Sequence, residues 1–384
     1  MEATRKTASA AAPHPRAVLR WIGMVALATL TACSDNDNNS DDSLNQPFAE
    51  ILAQGVDRYL GVYTPMTSET SGNVVTHTFG AGDGPLCLDG TEYSMATRDA
   101  GSEDLIIFLQ GGGARWSTFS AAYVSVTDPV VQLPPPRAGI LDPDRADNPV
   151  RDWNLVFIPY CDGGLHSSDK DNDYDNDGIV ESPQRGLHNL SASLDVAVTT
   201  FPNPRRILLT GNSGGGFGTT FALPLVRSLY PEVPIEIVND SGIGVGKPGD
   251  GDFLMLLMDD WNQSAFIPQS CPDCLGPDGH LSNYLSWQLE QDPNTRRGYM
   301  SYSQDSTIAT FFLGLDGPVF EAALTEELSQ LEAAHPERVR SWVPDGVGHT
   351  FLLREPDKTA GGVPVMAWIS AMLDGSEDWI SISD

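Results

Sequence analysis

The chain has 384 residues and carries 52 acidic against 22 basic side chains, a formal net charge of −30. So strong a negative field repels nucleic acid and anionic polymers, which sets aside any role built on phosphate contacts. The length supports one large domain with a sizeable core, and no internal repeat divides it.

Arg5, Lys6, Arg16 and Arg20 make a basic segment, followed by an apolar run, Trp21 to Leu30, too short to cross a bilayer as a stable helix. Leu30-Thr31-Ala32-Cys33 resembles the lipobox of bacterial lipoproteins, in which the cysteine thiol is acylated and becomes the new N-terminus. The alternative is an ordinary secretory signal that ends in cysteine. Residues 1–32 are expected to be a lipoprotein signal peptide and 33–45 an acidic flexible tether, because Ser34 to Ser43 holds no apolar residue. The expected location is the outer membrane or cell surface, with the membrane as partner through lipid on Cys33. Residues 46–384 are expected to form a single catalytic domain.

In chain order, the first buried-looking strand is Leu105-Ile106-Ile107-Phe108-Leu109, apolar on both faces and leading into Gln110-Gly111-Gly112-Gly113. Trp153 to Tyr160 is a second such run and ends at Cys161-Asp162-Gly163-Gly164. Arg206 to Thr210 runs into Gly211-Asn212-Ser213-Gly214-Gly215. Pro234 to Val238 ends at Asn239-Asp240-Ser241, Gly298 to Tyr302 ends at Ser303-Gln304-Asp305, and Val339 to Val343 ends at a Gly-rich loop holding His349. Helical stretches, Leu190 to Thr200 and Phe217 to Tyr230 among them, alternate with these strands. The pattern predicts an α/β fold, α/β-hydrolase-like, with a mostly parallel central sheet flanked by helices. In such sheets the working residues lie beyond the C-terminal strand ends, where the serine, aspartate, histidine and glycine loops all fall here.

Gly211-x-Ser213-x-Gly215 is the pattern of a nucleophile elbow, which needs neighbours without a Cβ at a strained, crowded turn. The order Ser213, then aspartate, then His349 is that of α/β-hydrolases. A serine needs a histidine to take its proton, and the histidine needs an acceptor on its other nitrogen. Asp240 and Asp305 both close strands after the elbow. Asp305 is favoured because the acid of this fold usually follows the second of them, and Asp240 is expected to satisfy backbone donors in its own turn. Gly112, Gly113 and Gly214 offer backbone N–H groups for an oxyanion hole. Among the other histidines, His335 reads as surface, His188 as part of a helix start and His77 as too early in the chain. His166 follows the Cys161 loop, either lining the pocket or solvated.

Cys87, Cys161, Cys271 and Cys274 remain after Cys33, and an even number in an exported chain argues for disulfides. Cys271-Pro-Asp-Cys274 reads as a redox pair, half a zinc site or a local staple. No second C-x-x-C or paired histidines accompany it, so the staple is preferred, and Cys87 with Cys161 follows by elimination. Asp173-x-Asp175-x-Asp177-Gly178 spaces carboxylates as at the start of a calcium loop, although position twelve is Gln184. The two readings are a calcium site at Asp173, Asp175 and Asp177, or a solvated acidic insertion.

Taken together, several stretches resemble the pectin acetylesterase and Notum-type carboxylesterases, in particular bacterial members. They are Cys87-Leu88-Asp89-Gly90-Thr91, Phe108 to Gly113, Trp153-Asn154 through Asp162, Gly186 to Leu190, Leu208 to Gly215, Asp240-Ser241-Gly242 and Ser303 to Ser306. The resemblance implies ester hydrolysis with Ser213 as nucleophile, Asp305 as acid, His349 as base, and Gly112, Gly113 and Gly214 as the oxyanion hole. It implies no required cofactor and an ester substrate, an acylated polysaccharide or a small ester, with acetyl or another short acyl group. Two departures stand out. Gly214 replaces the usual alanine, which predicts a floppier elbow. Ala114-Arg115-Trp116 stand where a cysteine is often found. The competing class is a surface-anchored binding lipoprotein on an inactive hydrolase scaffold, and intact Ser213, Asp305 and His349 argue against it. A thiol-redox role for Cys271 and Cys274 lacks a thioredoxin-like context.

Overall fold

The computed structural model describes residues 46–82, 84–116, 133–174, 176–276 and 278–384; Cys33, with the signal and tether segments, and Asp175 lie outside them. The central sheet is built from β1 (Thr67–Ser71), β2 (Val74–Thr78), β3 (Ser94–Arg98), β4 (Asp104–Leu109), β5 (Asn154–Ile158), β6 (Arg206–Asn212), β7 (Ile235–Asp240), β8 (Arg296–Met300), β9 (Val339–Val343) and β10 (Ile382–Ser383). Their spatial order is β1-β2-β3-β5-β4-β6-β7-β8-β9-β10. From β5 to β10 every neighbouring pair is parallel, and β1, β2, β3 and β5 pair antiparallel at the other edge. This is the α/β-hydrolase-like arrangement the alternation of strands and helices predicts.

Period-two alternation explains why the parallel strands read as continuous apolar runs. Leu105, Ile107 and Leu109 enter one buried cluster, and Ile106 and Phe108 enter the other. The same division separates Ile207 and Leu209 from Leu208. On the first face pack α1 (Ala49–Ala53), α2 (Gly186–Thr200), α3 (Gly214–Leu229), α4 (Phe253–Asp260), α5 (Ser282–Gln291) and α6 (Gly317–Ala334). On the second, α7 (Val365–Leu373) lays Val365, Met366, Trp368, Ile369 and Met372 against Met300 and Trp342.

Two details of the topology position the site. The chain leaves β4 toward β5 on one side, and leaves β6 toward β7 on the other. The crevice between the C-terminal ends of β4 and β6 is therefore a topological switch point, where open α/β sheets place their working groups. The register aligns those ends. Leu109 pairs with Gly211, Asn212 with Asp240, Asp240 with Met300, and Met300 with Trp342. The loops carrying the glycines, Ser213, Ser241, Asp305 and His349 all leave the sheet along this one edge.

Both disulfides are formed. Cys87 joins Cys161, tying the loop before β3 to the end of β5, and Cys271 joins Cys274 as a local staple. α3 starts at Gly214, three residues before the expected Phe217, and α2 starts at Gly186 rather than Leu190.

Candidate active site

Ser213 stands between β6 and α3 with φ 55° and ψ −124°, a conformation an L-residue holds only when its surroundings over-determine it. The flanking glycines are required by close approach. A Cβ on Gly211 would lie 2.3 Å from the Gly215 carbonyl oxygen, and one on Gly215 would lie 2.0 Å from the Leu109 carbonyl oxygen. The Ser213 N–H donates to the Asp240 carbonyl oxygen at 2.7 Å, and the Ser213 carbonyl accepts the Phe217 N–H at 3.1 Å. The turn is thus fixed on both sides.

The glycine loop after β4 is braced from below. The Gly111 N–H donates to Asn212 Oδ1 at 3.2 Å, and the Tyr160 hydroxyl donates to the Gly113 carbonyl at 2.8 Å. Burial, and then the nearby Asp162 carboxylate, push the Tyr160 hydroxyl well above its ordinary range, so it stays a donor. The Tyr160 ring occupies the space a Cβ on Gly112 would need, 2.6 Å away. Asp162, itself buried, gathers the next turn: its Oδ2 accepts the N–H groups of Gly164 and His166 and the Ser168 hydroxyl. Asn212, Tyr160 and Asp162 are supporting residues that sequence reasoning passed over. The signal available was their place at the ends of β5 and β6.

His349 Nδ1 lies 2.7 Å from Asp305 Oδ2, and Asp305 is fully buried. The other Asp305 oxygen, Oδ1, accepts the N–H groups of Thr307 and Ile308 at the start of a π-helix, Thr307–Leu313. The acid and histidine loops are laced together: Ser303, Gln304 and Ser306 donate backbone N–H groups to the carbonyls of Pro344, Gly346 and Val347. His349 Nε2 is buried and has no hydrogen-bond partner among the described residues. Ser213, Gly113 and Gly214 line an apolar cavity of about 90 Å³ with Ala114, Trp116, Leu165 and Phe217. Gly112 is not in its wall.

Asp240 takes the Ser241 hydroxyl on Oδ1 at 3.3 Å, but the backbone donors it satisfies are not those of its own turn. Its Oδ2 accepts the N–H groups of Phe351 and Leu352 at 2.8 and 2.9 Å, just past His349. Burial is the main cause that pushes its carboxyl up to about 6; those two N–H groups and His349 pull the other way. One residue therefore ties the elbow, through its carbonyl, to the histidine loop, through its carboxylate.

With this geometry in view, residues 70–248 match the family model described as pectinacetylesterase. Over that stretch the chain is similar to the pectinacetylesterase family. Pectin acetylesterase 4 of Arabidopsis thaliana is 25% identical over 240 residues, covering 54% of this chain and 58% of the relative. Palmitoleoyl-protein carboxylesterase notum2 of Xenopus laevis is 30% identical over 175 residues, covering 41% of this chain and 33% of the relative. The chain thus spans little over half the length of the first of these relatives and a third of the second.

Several expectations for this chain need correction. His166 neither lines the cavity nor is solvated: it is buried, with Nε2 2.8 Å from the Gln110 carbonyl oxygen. His335 is buried rather than superficial, 2.7 Å from Ser286 Oγ. Gly214 is not a loose point, because a Cβ there would meet the Gly113 carbonyl oxygen at 2.9 Å. In the acidic loop, carboxylate oxygens of Asp173, Asp177 and Glu181 lie within 4.8 Å of one another. Gln184, at position twelve, is buried and bonds to Asn172 and the Arg115 carbonyl, so it does not face the loop as a ligand. Asp173 already accepts the N–H groups of Asp177 and Gly178. Among the described residues, that cluster of exposed or half-exposed carboxylates is all that bears on calcium, and Gln184 is not part of it.

Proposed function

We propose that the chain is a serine carboxylesterase that hydrolyses short acyl esters through an acyl-enzyme, in the manner of a pectin acetylesterase. The observation that carries this reading is the pairing of His349 Nδ1 with Asp305 Oδ2 at 2.7 Å, which leaves Nε2 as an unpartnered acceptor among the described residues. Ser213 Oγ attacks the ester carbonyl carbon while His349 Nε2 takes its proton. The new oxyanion is met by the backbone N–H groups of Gly113 and Gly214, with Gly112 adjoining. The C–O bond to the alcohol then breaks, and Nε2 returns the proton to the leaving oxygen. Water repeats the two steps on the acyl-enzyme and frees the acid. Nucleophile, base and oxyanion donors are all groups of the chain, so the reading requires no cofactor.

The cavity supports a short acyl group. Its volume of about 90 Å³ is several times the ~10–15 Å³ that a cavity needs to hold one water. Of the relatives' printed substrates, an acetyl ester fits this reading and a palmitoleoyl ester does not. The net charge of −30 opposes a polyanionic alcohol and favours a neutral acylated polysaccharide or a small ester.

The chain is further proposed to be exported and lipidated at Cys33, on the strength of the basic segment, the apolar run and Leu30-Thr31-Ala32-Cys33; its two disulfides accord with an oxidising compartment. Mass analysis of the mature N-terminus tests this, and an unmodified start away from Cys33 overturns it.

The activity is tested with protein lacking residues 1–33 on nitrophenyl acetate and butyrate. Ser213→Ala should lower turnover by about 10⁴-fold or more at unchanged melting temperature. Equal turnover by the two proteins would rule the mechanism out.

A further inference from the structure

Phe217 stands one turn into α3 from Ser213, almost fully buried, in the wall of the cavity beside the serine. Behind that wall lies a second, separate void of about 10 Å³, lined by Phe221, Leu254, Leu257, Met258, Trp261 and Gln263. Phe217 and Leu165 are the two side chains common to both. The void is lined almost entirely by apolar side chains. Gln263 Oε1 is buried without a hydrogen-bond partner among the described residues, and the volume is about one probe sphere. The space is thus a small packing gap that holds at most one water, and the ring of Phe217 separates it from the serine.

We propose that Phe217 is the residue that sets acyl length, standing as the wall that ends the acyl cavity on the side of α4 and Trp261. The proposal rests on the serine carboxylesterase reading and adds which side chain limits the substrate. The physical basis is local. Phe217 is held at one end by its N–H bond to the Ser213 carbonyl, and its ring packs edge-on against Phe312 at 5.9 Å between centroids. It cannot swing aside without losing that packing, so a longer acyl chain meets a fixed wall. Removing the ring frees its own volume together with the small gap behind it, and the surrounding side chains are already apolar. Each methylene accommodated in such a pocket changes specificity by about 10-fold or more.

The test is a nitrophenyl ester series from acetate to decanoate on wild type, Phe217→Ala and the milder Phe217→Leu. Each protein is also labelled with a fluorophosphonate and its melting curve recorded. Wild type should fall steeply beyond butyrate. Phe217→Ala should raise the octanoate-to-acetate ratio of kcat/KM by about 100-fold, with Phe217→Leu between. Leu165→Ala, which thins the same wall, should move the ratio in the same direction. If the variants bind the fluorophosphonate and turn over acetate but keep the wild-type ratio, Phe217 is a packing residue and the proposal fails. A uniform loss across all lengths also overturns it. Should wild type cleave no ester and leave Ser213 unlabelled, it is the underlying esterase reading that has failed.

Discussion

Phe351 donates its backbone N–H to Asp240 Oδ2 at 2.8 Å, across 111 positions of sequence. Leu352 does the same at 2.9 Å, while the Asp240 carbonyl takes the Ser213 N–H. The spacing between Ser213 and the histidine loop is thus set by a residue that touches neither the Ser213 hydroxyl nor the His349 ring. An aspartate at a strand end has two chemically different handles, and here each holds a different loop.

This division of labour separates the two aspartates by experiment. Asp305→Asn should lower kcat by about 10⁴-fold, because an amide holds His349 in the wrong tautomer. Asp240→Asn keeps an oxygen for Phe351 and Leu352 and should lose less than about tenfold. Asp240→Ala strands both N–H groups and should destabilise the fold by about 1–3 kcal/mol for each. Steady-state kinetics beside urea unfolding decide this. A larger kcat loss for Asp240→Asn than for Asp305→Asn would make Asp240 the acid.

The buried Asp240 carboxyl gives a pH prediction whose sign is opposite to that of a salt-bridged aspartate. Its folded-state value, pushed up to about 6, lies above the unfolded value of about 3.9. Between those two the native state binds more protons than the unfolded state, so this group lowers stability as pH rises from about 4 to 6. At pH 4 the carboxyl is neutral, and Asp240→Asn changes little. At pH 7 wild type carries a buried charge that the variant lacks. The stability of Asp240→Asn relative to wild type should therefore increase by about 2 kcal/mol from pH 4 to pH 7. A difference that stays flat with pH, measured by denaturant unfolding at each pH, would contradict the assignment.

The two disulfides should differ sharply in what they contribute. Cys87 and Cys161 are 74 positions apart, and Cys271 and Cys274 are three apart. Closing a loop of the first size restricts the unfolded chain by about 4.5 kcal/mol, and of the second by about 2. Replacing Cys87 and Cys161 with serine should lower stability by about 2–5 kcal/mol and loosen the turn that begins at Asp162. The same change at Cys271 and Cys274 should have the smaller effect. Equal destabilisation would show that native packing, rather than loop closure, dominates.

The sequence made the middle of the parallel sheet legible because β4, β5, β6 and β7 are buried along almost their whole length and read as largely apolar runs. The antiparallel β1 to β3 was not, since β1 is exposed along its whole length and β2 half-buried, leaving no periodic apolar signal. The pairing of Asp305 with His349 was legible from chain order, because strand ends converge in such a sheet wherever they lie in sequence. The roles of Asp240, Tyr160 and Asn212 were not, because each acts on backbone groups brought near only by the strand register. The burial of His166 was hidden for the same reason: its partner is the carbonyl of Gln110, 56 positions away. A short acidic spacing, by contrast, reads as a metal loop whether or not its twelfth position turns outward.

Gly214 yields the sharpest test of how the glycine loop and the elbow fit. The family pattern has alanine here, and in the first turn of a helix alanine is about 1 kcal/mol better than glycine. Yet a Cβ at 214 would stand 2.9 Å from the Gly113 carbonyl oxygen and 3.4 Å from the Tyr160 ring. The first of these is backbone and can yield only by moving the loop, while Tyr160 holds that same carbonyl by its hydroxyl. Gly214→Ala should therefore leave the melting temperature unchanged or higher and lower kcat about tenfold or more, as a displaced oxyanion donor does. Adding Tyr160→Phe releases the Gly113 carbonyl and should restore part of the lost kcat by letting the loop retreat. An alanine variant with full kcat would show that the Gly113 loop adapts freely and that its donors are not held where the proposed oxyanion forms.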